Sequence, residues 1–353
     1  MKCRFCVFAA ARKLFERCIL VDFQLPKEPS QPFRSAGLYA RHVRAERKAP
    51  TRALYADRAF TLIEFMVSVA ILAVITGAVF ALIANQGQVF GTTQLKGDMY
   101  NGIRGAAELM AQEIGQAGLV GLPSPSPTLA CTSGTNCPVG NGTSQTVPVS
   151  SVTSMFVGEM LLIDAGAAQE QVTITALNTT ANTLTAVFNN THSTGIPINV
   201  LGVFSQGVMT SSTATQLRLF GNVNADGSLV YIHYDCNLTT TPGTLTRSIT
   251  TVTPSVTQSN ASQTVLNNLI SNPNSTPCFQ YITTTAGGLT FVTNVAVTLS
   301  VQTAAPDPVT HAYLTMTKSY LDLTPRNVLV GVELAGAGIT NRLQPTPSNL
   351  PLP

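Results

Sequence analysis

The sequence predicts an α+β fold in which one long N-terminal helix packs on a mainly antiparallel β head that contains a small inserted β unit. Two observations support this prediction. A single apolar run from Phe60 to Ala84 continues as a helical stripe, and short strand-like segments begin at about residue 145. Charged residues make up 10% of the 353 residues and hydrophobic residues 44%. A composition this poor in charge excludes a disordered polyelectrolyte and a highly solvated enzyme.

Basic residues are concentrated before the apolar run. Residues 1–59 contain 13 of the 20 Lys and Arg residues but only 5 of the 17 Asp and Glu residues. A nucleic-acid-binding protein needs its cations in the folded part, so we do not expect nucleic acid as a primary partner. The positive-inside rule instead predicts that residues 1–59 lie in the cytoplasm and that the chain after about residue 85 lies outside.

The apolar run carries one charge, Glu64. As a helix the run would span roughly 37 Å, enough for a bilayer core of about 30 Å. A carboxylate inside the bilayer costs about 2.5–3.5 kcal/mol on insertion scales. Glu64 therefore either lies near the headgroups, where the cost largely disappears, or finds a partner.

Residues 85–118 continue the helix as an amphipathic half. Gly118 and the prolines that follow it predict the end of the helix. We therefore expect one helix from 60 to about 117, with a transmembrane half at 60–84. The apolar stripe of the second half recurs every three or four residues, at Leu95, Met99, Ile103, Ala107, Met110, Ile114 and Ala117.

The rest of the chain has a β composition of Val, Ile, Thr and Leu between turn residues. We expect candidate strands at 160–163, 171–176, 183–187, 198–203, 216–220, 229–234, 289–300 and 313–321. Ten threonines between Thr239 and Thr264 predict a polar, exposed and mobile stretch. The predicted segments are a loop with a cysteine pair at 119–145, the small β unit at 146–204, the β head at 205–340 and a Pro-rich tail at 341–353.

The cysteines divide by predicted compartment. Three precede residue 60, and four follow it. An even number in the exported part favours disulfides there. Four cysteines allow three connectivities, of which we favour Cys131 with Cys137, closing a small loop, and Cys236 with Cys278, enclosing the threonine-rich stretch.

One segment imitates the first half of a calcium-binding loop. Asn222, Asn224 and Asp226 alternate and are followed by Gly227. The twelfth position is His233, however, where calcium needs a bidentate Glu. A β-turn built on Asp226 and Gly227 explains the pattern better, so we predict no metal and no cofactor.

The histidines are scattered and lie in no hydrolase, metalloprotease, P-loop or dinucleotide motif, so we do not predict an enzyme. They are His42, His192, His233 and His311. A surface adhesin anchored by the apolar helix is the alternative of another class.

The stretch from Arg58 to Met66 (RAFTLIEFM) resembles the prepilin processing motif of type IV pilins and type II secretion pseudopilins. This resemblance implies that prepilin peptidase cuts between Ala59 and Phe60, that Phe60 is then N-methylated, and that Glu64 acts in assembly. Ala59 replaces the usual Gly, and the leader is unusually long.

Later segments are similar to PilW-type minor pilins: residues 217–220, 224–227, 230–234 and 323–328. The resemblance implies a non-catalytic subunit that initiates or decorates a pilus filament, with a minor pseudopilin of type II secretion as the nearest alternative. It further implies the inner membrane and then a pilus filament as locations. The implied partners are prepilin peptidase, other major and minor pilins, and the inner-membrane assembly platform.

Overall fold

A computed structural model describes residues 60–132, 136–252, 262–348 and 350. Residues 1–59, which include the predicted leader and Ala59, lie outside this part of the chain. The chain divides into two units, Met1–Glu64 and Phe65–Pro353. Of the first unit, the structure describes only residues 60–64.

The predicted long helix is confirmed as α1 (Leu62–Gln116). Two residues after its end, Gly118 has φ of 84°, a left-handed conformation that glycine adopts at little cost. The predicted apolar stripe is also confirmed. All of its members are buried except the half-buried Leu95.

Two small antiparallel sheets follow the helix. One has the order β1-β5-β4 and the other β3-β2-β6. They enclose a core of their own, to which Leu129 and Cys131 also contribute. The strands are β1 (Thr143–Pro148), β2 (Met160–Ile163), β3 (Glu170–Thr173), β4 (Ala176–Asn178), β5 (Thr183–Phe188) and β6 (Ile198–Val200).

After β7 (Val203–Phe204), seven strands form the large antiparallel sheet. They are β8 (Gln216–Gly221), β9 (Val230–Asn237), β10 (Gly243–Thr251), β11 (Ser262–Ile270), β12 (Phe279–Ala286), β13 (Leu289–Gln302) and β14 (Thr315–Leu323). The order is β12-β13-β11-β10-β9-β8, and β14 also pairs with β13. The α+β prediction is therefore confirmed.

The main hydrophobic core lies between the second half of α1 and the large sheet. Each large aliphatic side chain fully buried there contributes about 1.5–3 kcal/mol relative to exposure. This main core includes Met99, Ile103, Met110, Ile114, Leu219, Ile232, Leu245 and Val297.

The C-terminal part returns to the fold through α2 (Arg326–Gly336) and β15 (Leu343–Gln344). β15 pairs in parallel with β7. The Gln344 amide donates to the carbonyls of Met160 and Leu201 at 2.8 and 2.9 Å. Part of the segment predicted as a tail therefore links the small sheets to the head.

The prediction of a mobile, exposed stretch between Thr239 and Thr264 is wrong for β10, whereas Thr239, Thr240 and Thr241 before it are exposed. β10 pairs with β9 on one side and β11 on the other, and Leu245 is fully buried. Threonine is a good strand residue, so a high threonine content does not by itself indicate a loop. Residues 253–261 lie outside the described part of the chain.

Candidate functional site

The N-terminal end of α1 forms a capping box. The backbone N–H and the hydroxyl of Thr61 both donate to Oε2 of Glu64 at 2.9 Å, and the N–H of Glu64 donates to the Thr61 hydroxyl at 3.4 Å. This reciprocal pair satisfies two amides that a helix start leaves without partners. The Thr-x-x-Glu spacing that signals such a box is present in the sequence at Thr61 and Glu64 and is a local signal that predicts it.

The first part of α1 exposes its large apolar side chains. Phe80 is 68% exposed and Phe90 71% exposed. The helix is long and apolar enough to cross a membrane. The exposed apolar surface continues past the predicted boundary at Ala84 as far as Phe90. Contact with the head begins at the next residue, Gly91.

A loop of the head contacts the helix at Gly91 and Thr92. The Thr92 hydroxyl donates to Asp307, which also accepts from the N–H and hydroxyl of Thr310 at 2.9 and 2.7 Å. A Cβ at Gly91 would lie 3.3 Å from Pro308. The hydrogen bonds from Thr92 and then Thr310 lower the pKa of Asp307 to about 2, so its carboxylate stays charged across the ordinary pH range.

A buried polar cluster joins the helix to the centre of the large sheet. Glu113 of α1 accepts from the Tyr234 hydroxyl of β9 at 2.5 Å and from Arg247 of β10 at two nitrogens. The side chains of Glu113 and Arg247 are 6% and 13% exposed. Burial and the adjacent Glu113 carboxylate raise the pKa of Tyr234, so its hydroxyl stays protonated as a donor.

The sequence patterns described above do not predict this cluster, although the position of Glu113 is a signal for it. Glu113 lies three residues after Met110 and one before Ile114, on the buried stripe of the helix. A carboxylate on an apolar stripe needs a buried partner. Which partner it finds depends on pairing between distant strands.

The other end of α1 is held by the last part of the head. The Asn327 side-chain amide donates to the carbonyls of Gln116 and Ala117 at 3.0 and 3.4 Å. The N–H of Gly118 donates to Phe220 at 2.9 Å, and a Cβ at Gly207 would lie 2.3 Å from that nitrogen. The 323–328 motif thus includes a residue that caps the helix C-terminus.

Both favoured cysteine pairs lie at disulfide distance. Cys131 and Cys137 have Cα atoms 5.0 Å apart, and Cys236 and Cys278 have Cα atoms 6.5 Å apart. The second pair connects the end of β9 to the start of β12 and encloses β10 and β11. The longer loop gains more from its cross-link than the shorter one, because its closure removes more freedom from the unfolded chain.

In the segment that imitates a calcium loop, side-chain oxygens accept hydrogen bonds from backbone N–H groups. Oδ1 of Asn222 accepts from the N–H of Gly227 at 3.1 Å, and Oδ1 of Asp226 accepts from the N–H of Ser228 at 2.8 Å. These are bonds of Asx-type turns. The described residues hold no cluster of three or more His, Cys, Asp or Glu residues that could bind a metal.

His192 has a carboxylate neighbour at each of its two ring nitrogens. Its Nε2 lies 2.7 Å from Glu170 and its Nδ1 3.1 Å from Asp164, and the residue is 2% exposed. Glu170 also accepts from the N–H groups of Asn189 and Asn190 at 2.8 and 3.1 Å. The Ala165 amide and then His192 lower the pKa of Asp164. With both imidazole nitrogens bonded, the cluster holds the chain after β5 against β3.

Glu159 is a buried carboxyl group just before β2. It is 1% exposed and accepts from the N–H of Phe156 at 3.3 Å. Desolvation by burial raises its pKa to about 8, despite that hydrogen bond. The native protein therefore keeps Glu159 protonated at pH values where the unfolded chain has released the proton.

Because of Glu159, the free energy of unfolding should fall as pH rises. Between about pH 4.5 and 8 the unfolded state ionises while the native state does not, so the free energy of unfolding declines by on the order of 4 kcal/mol. Glu159→Gln should abolish that component. Urea unfolding of the full chain in detergent micelles at pH 4.5, 6 and 8 tests this. Parallel pH dependences for the two proteins would contradict it.

Comparison with known proteins agrees with the N-terminal motif and extends no further. The family model for the prokaryotic N-terminal methylation motif matches residues 55–80. No curated protein and no solved structure matches the chain. The matched segment contains Phe60, the capping box and the first part of the exposed apolar helix. This match supports the resemblance of the N-terminal segment to the type IV prepilin and pseudopilin superfamily.

Proposed function

We propose that the protein is a minor type IV pilin, a non-catalytic subunit that initiates or decorates a pilus filament after prepilin peptidase cuts between Ala59 and Phe60. One observation carries the proposal. The methylation motif runs directly into a helix whose first part is apolar and exposed and whose second part is buried in a β head. Before assembly such a helix can lie in a membrane. After assembly its exposed apolar part can pack in a bundle of similar helices.

The same observation supports a topology. Residues 1–59 would lie in the cytoplasm, the exposed part of α1 would cross the inner membrane, and the head would lie outside. The two cysteine pairs of the head fit an oxidising compartment. The partners would then be prepilin peptidase, the inner-membrane assembly platform, and other major and minor pilins.

A minor role follows from the size of the head. Besides the seven-stranded sheet that holds α1, the head carries two further sheets with a core of their own. We propose that the segment at about 146–204 is an insertion beside the pilin-like part. A head of this size is accommodated more easily in a subunit present in few copies than in one repeated along a shaft.

Cleavage should require a small residue before the scissile bond, because a peptidase acting at the membrane must enclose the backbone closely. Ala59→Arg is expected to accumulate full-length protein in the inner membrane, and the matched control Ala59→Gly should be processed at least as well as wild type. N-terminal sequencing checks both. A filament-associated protein that begins anywhere but Phe60 would refute the assignment.

Deletion of the gene would separate the candidate roles. Loss of surface pili with normal protein secretion supports the minor pilin. Loss of secretion with normal pili would identify a minor pseudopilin. Normal pili and secretion with impaired surface attachment would identify a membrane-anchored adhesin.

A further inference from the structure

The large sheet carries a polar cluster on the face turned away from α1. Leu217 of β8 and Ile232 of β9 belong to the main core against α1. Side chains alternate along a strand, so Arg218 of β8 and His233 of β9 point to the opposite face. These two residues are direct partners in the register, and Tyr231 lies two positions before His233 on the same face. We call Arg218, Tyr231 and His233 the outer-face cluster.

Among the described residues, Arg218 is a buried cation without an anionic partner. It is 7% exposed, and its guanidinium donates to the carbonyl of Ser211 at 2.9 Å and to Oε1 of Gln216 at 2.7 Å. Every Asp and Glu after residue 59 lies in the described part of the chain, and none of them forms an ion pair with Arg218. Asp235 is bonded to the amide of Gln216 instead. A buried charge without an opposite charge is costly.

Each member of the outer-face cluster has a buried polar atom without a hydrogen-bond partner. These atoms are Nε of Arg218, the hydroxyl of Tyr231 and Nε2 of His233. The first two are donors, and Nε2 of His233 is a donor in one of the two neutral tautomers. Burial raises the pKa of Tyr231, against the effect of the Arg218 charge, whereas burial and then the Arg218 charge lower the pKa of His233. Buried donors are rarely left unpaired, so the cluster needs an acceptor.

We propose that the outer-face cluster binds a small monovalent anion, either a halide or a carboxylate of the size of formate. Arg218 supplies the opposite charge, and Nε of Arg218, the Tyr231 hydroxyl and Nε2 of His233 donate to the anion. A water molecule has only two lone pairs and carries no charge, so it satisfies neither all three donors nor the guanidinium. Tyr231 is 2% exposed, whereas His233 is half-buried and provides the route from solvent. Binding requires neither cleavage after Ala59 nor a filament, so it can be tested separately from the proposed function.

Urea unfolding of the full chain in detergent micelles, at constant pH and ionic strength, tests this proposal. Chloride or formate replaces gluconate, an anion too bulky for the cluster, up to about 0.3 M. An anion that binds only the folded state shifts the equilibrium, so we expect chloride or formate to lower the unfolding constant about tenfold. An effect of chloride alone would identify a halide site, and an effect of formate alone a carboxylate site. No effect of either anion would show that water satisfies the cluster and would overturn the proposal.

Variants assign the effect to the cluster. Arg218→Met keeps most of the volume, removes the charge and should abolish the dependence on chloride or formate. Tyr231→Phe removes one donor from an otherwise unchanged side chain and should weaken anion binding about fivefold. Arg342→Met, at an exposed arginine, is the matched control and should respond like the wild type. Equal anion dependence of all four proteins would reveal a general salt effect and overturn the site.

The His233 ring gives a measurement that a purely structural role would not change. A bound anion favours the imidazolium, so the small anion should raise the pKa of His233 from its lowered value by about 0.5 or more. Arg218 and Asp235 are the charged side chains that act on this ring. NMR titration of the labelled ring in the full chain measures the change. An unchanged pKa, or the same rise in Arg218→Met, would contradict anion binding at the cluster.

Discussion

Glu113→Ala is expected to lower the free energy of unfolding by about 3–5 kcal/mol. The substitution leaves Arg247 as a buried charge without its carboxylate and removes the acceptor of the Tyr234 hydroxyl. Both consequences arise at the contact between α1 and the sheet. Denaturant unfolding of the full chain in detergent micelles measures the loss, and hydrogen exchange in the second half of α1 should accelerate with it.

A double variant separates the buried charge from the packing. Glu113→Leu together with Arg247→Met removes both ions and keeps most of the volume, and such replacements are often neutral or stabilising. We therefore expect the double variant to be more stable than either single one. Tyr234→Phe should cost only about 1 kcal/mol, the usual net value of one hydrogen bond. A loss below 1 kcal/mol for Glu113→Ala would show that the cluster does not hold the helix.

Glu64→Ala is expected to leave cleavage after Ala59 intact and to abolish most incorporation into filaments. After cleavage, Phe60 carries an α-amino group with a reference pKa near 8, so it is protonated at neutral pH. A carboxylate and an ammonium group held in the apolar phase attract each other strongly and are costly while unpaired. Pairing with the amine of an incoming subunit would supply both attraction and register.

The capping box provides a control for this prediction. Glutamine also completes a capping box, so Glu64→Gln keeps the cap but removes the charge. Thr61→Val removes the hydroxyl of the cap and keeps the charge. If charge pairing drives assembly, Glu64→Gln should fail like Glu64→Ala, while Thr61→Val should assemble. Co-purification with other pilins measures incorporation, and normal incorporation of Glu64→Ala would favour a glutamate that merely lies near the headgroups.

The long helix could be predicted because its signals are local. An uninterrupted apolar run, a stripe with a spacing of three to four residues, and a terminal glycine all act within a few turns. The strand at Met160–Ile163 was predicted at its observed bounds for the same reason, since its apolar run is bounded by turn residues. β10 was missed because its threonines suit both a strand and a loop, and only its neighbours decide between them.

The sequence by itself determined the processing motif, the exposed apolar helix and its buried stripe, because each depends on residues close together in the chain. Only the tertiary structure decided that Glu113 meets Arg247, that Asn327 caps a helix more than 200 residues earlier, and that His192 lies between two carboxylates. It also decided that β13 pairs with β11 at Leu269 and Ile270. Such contacts depend on strand order and register, which the packing of the whole sheet selects and no local pattern encodes.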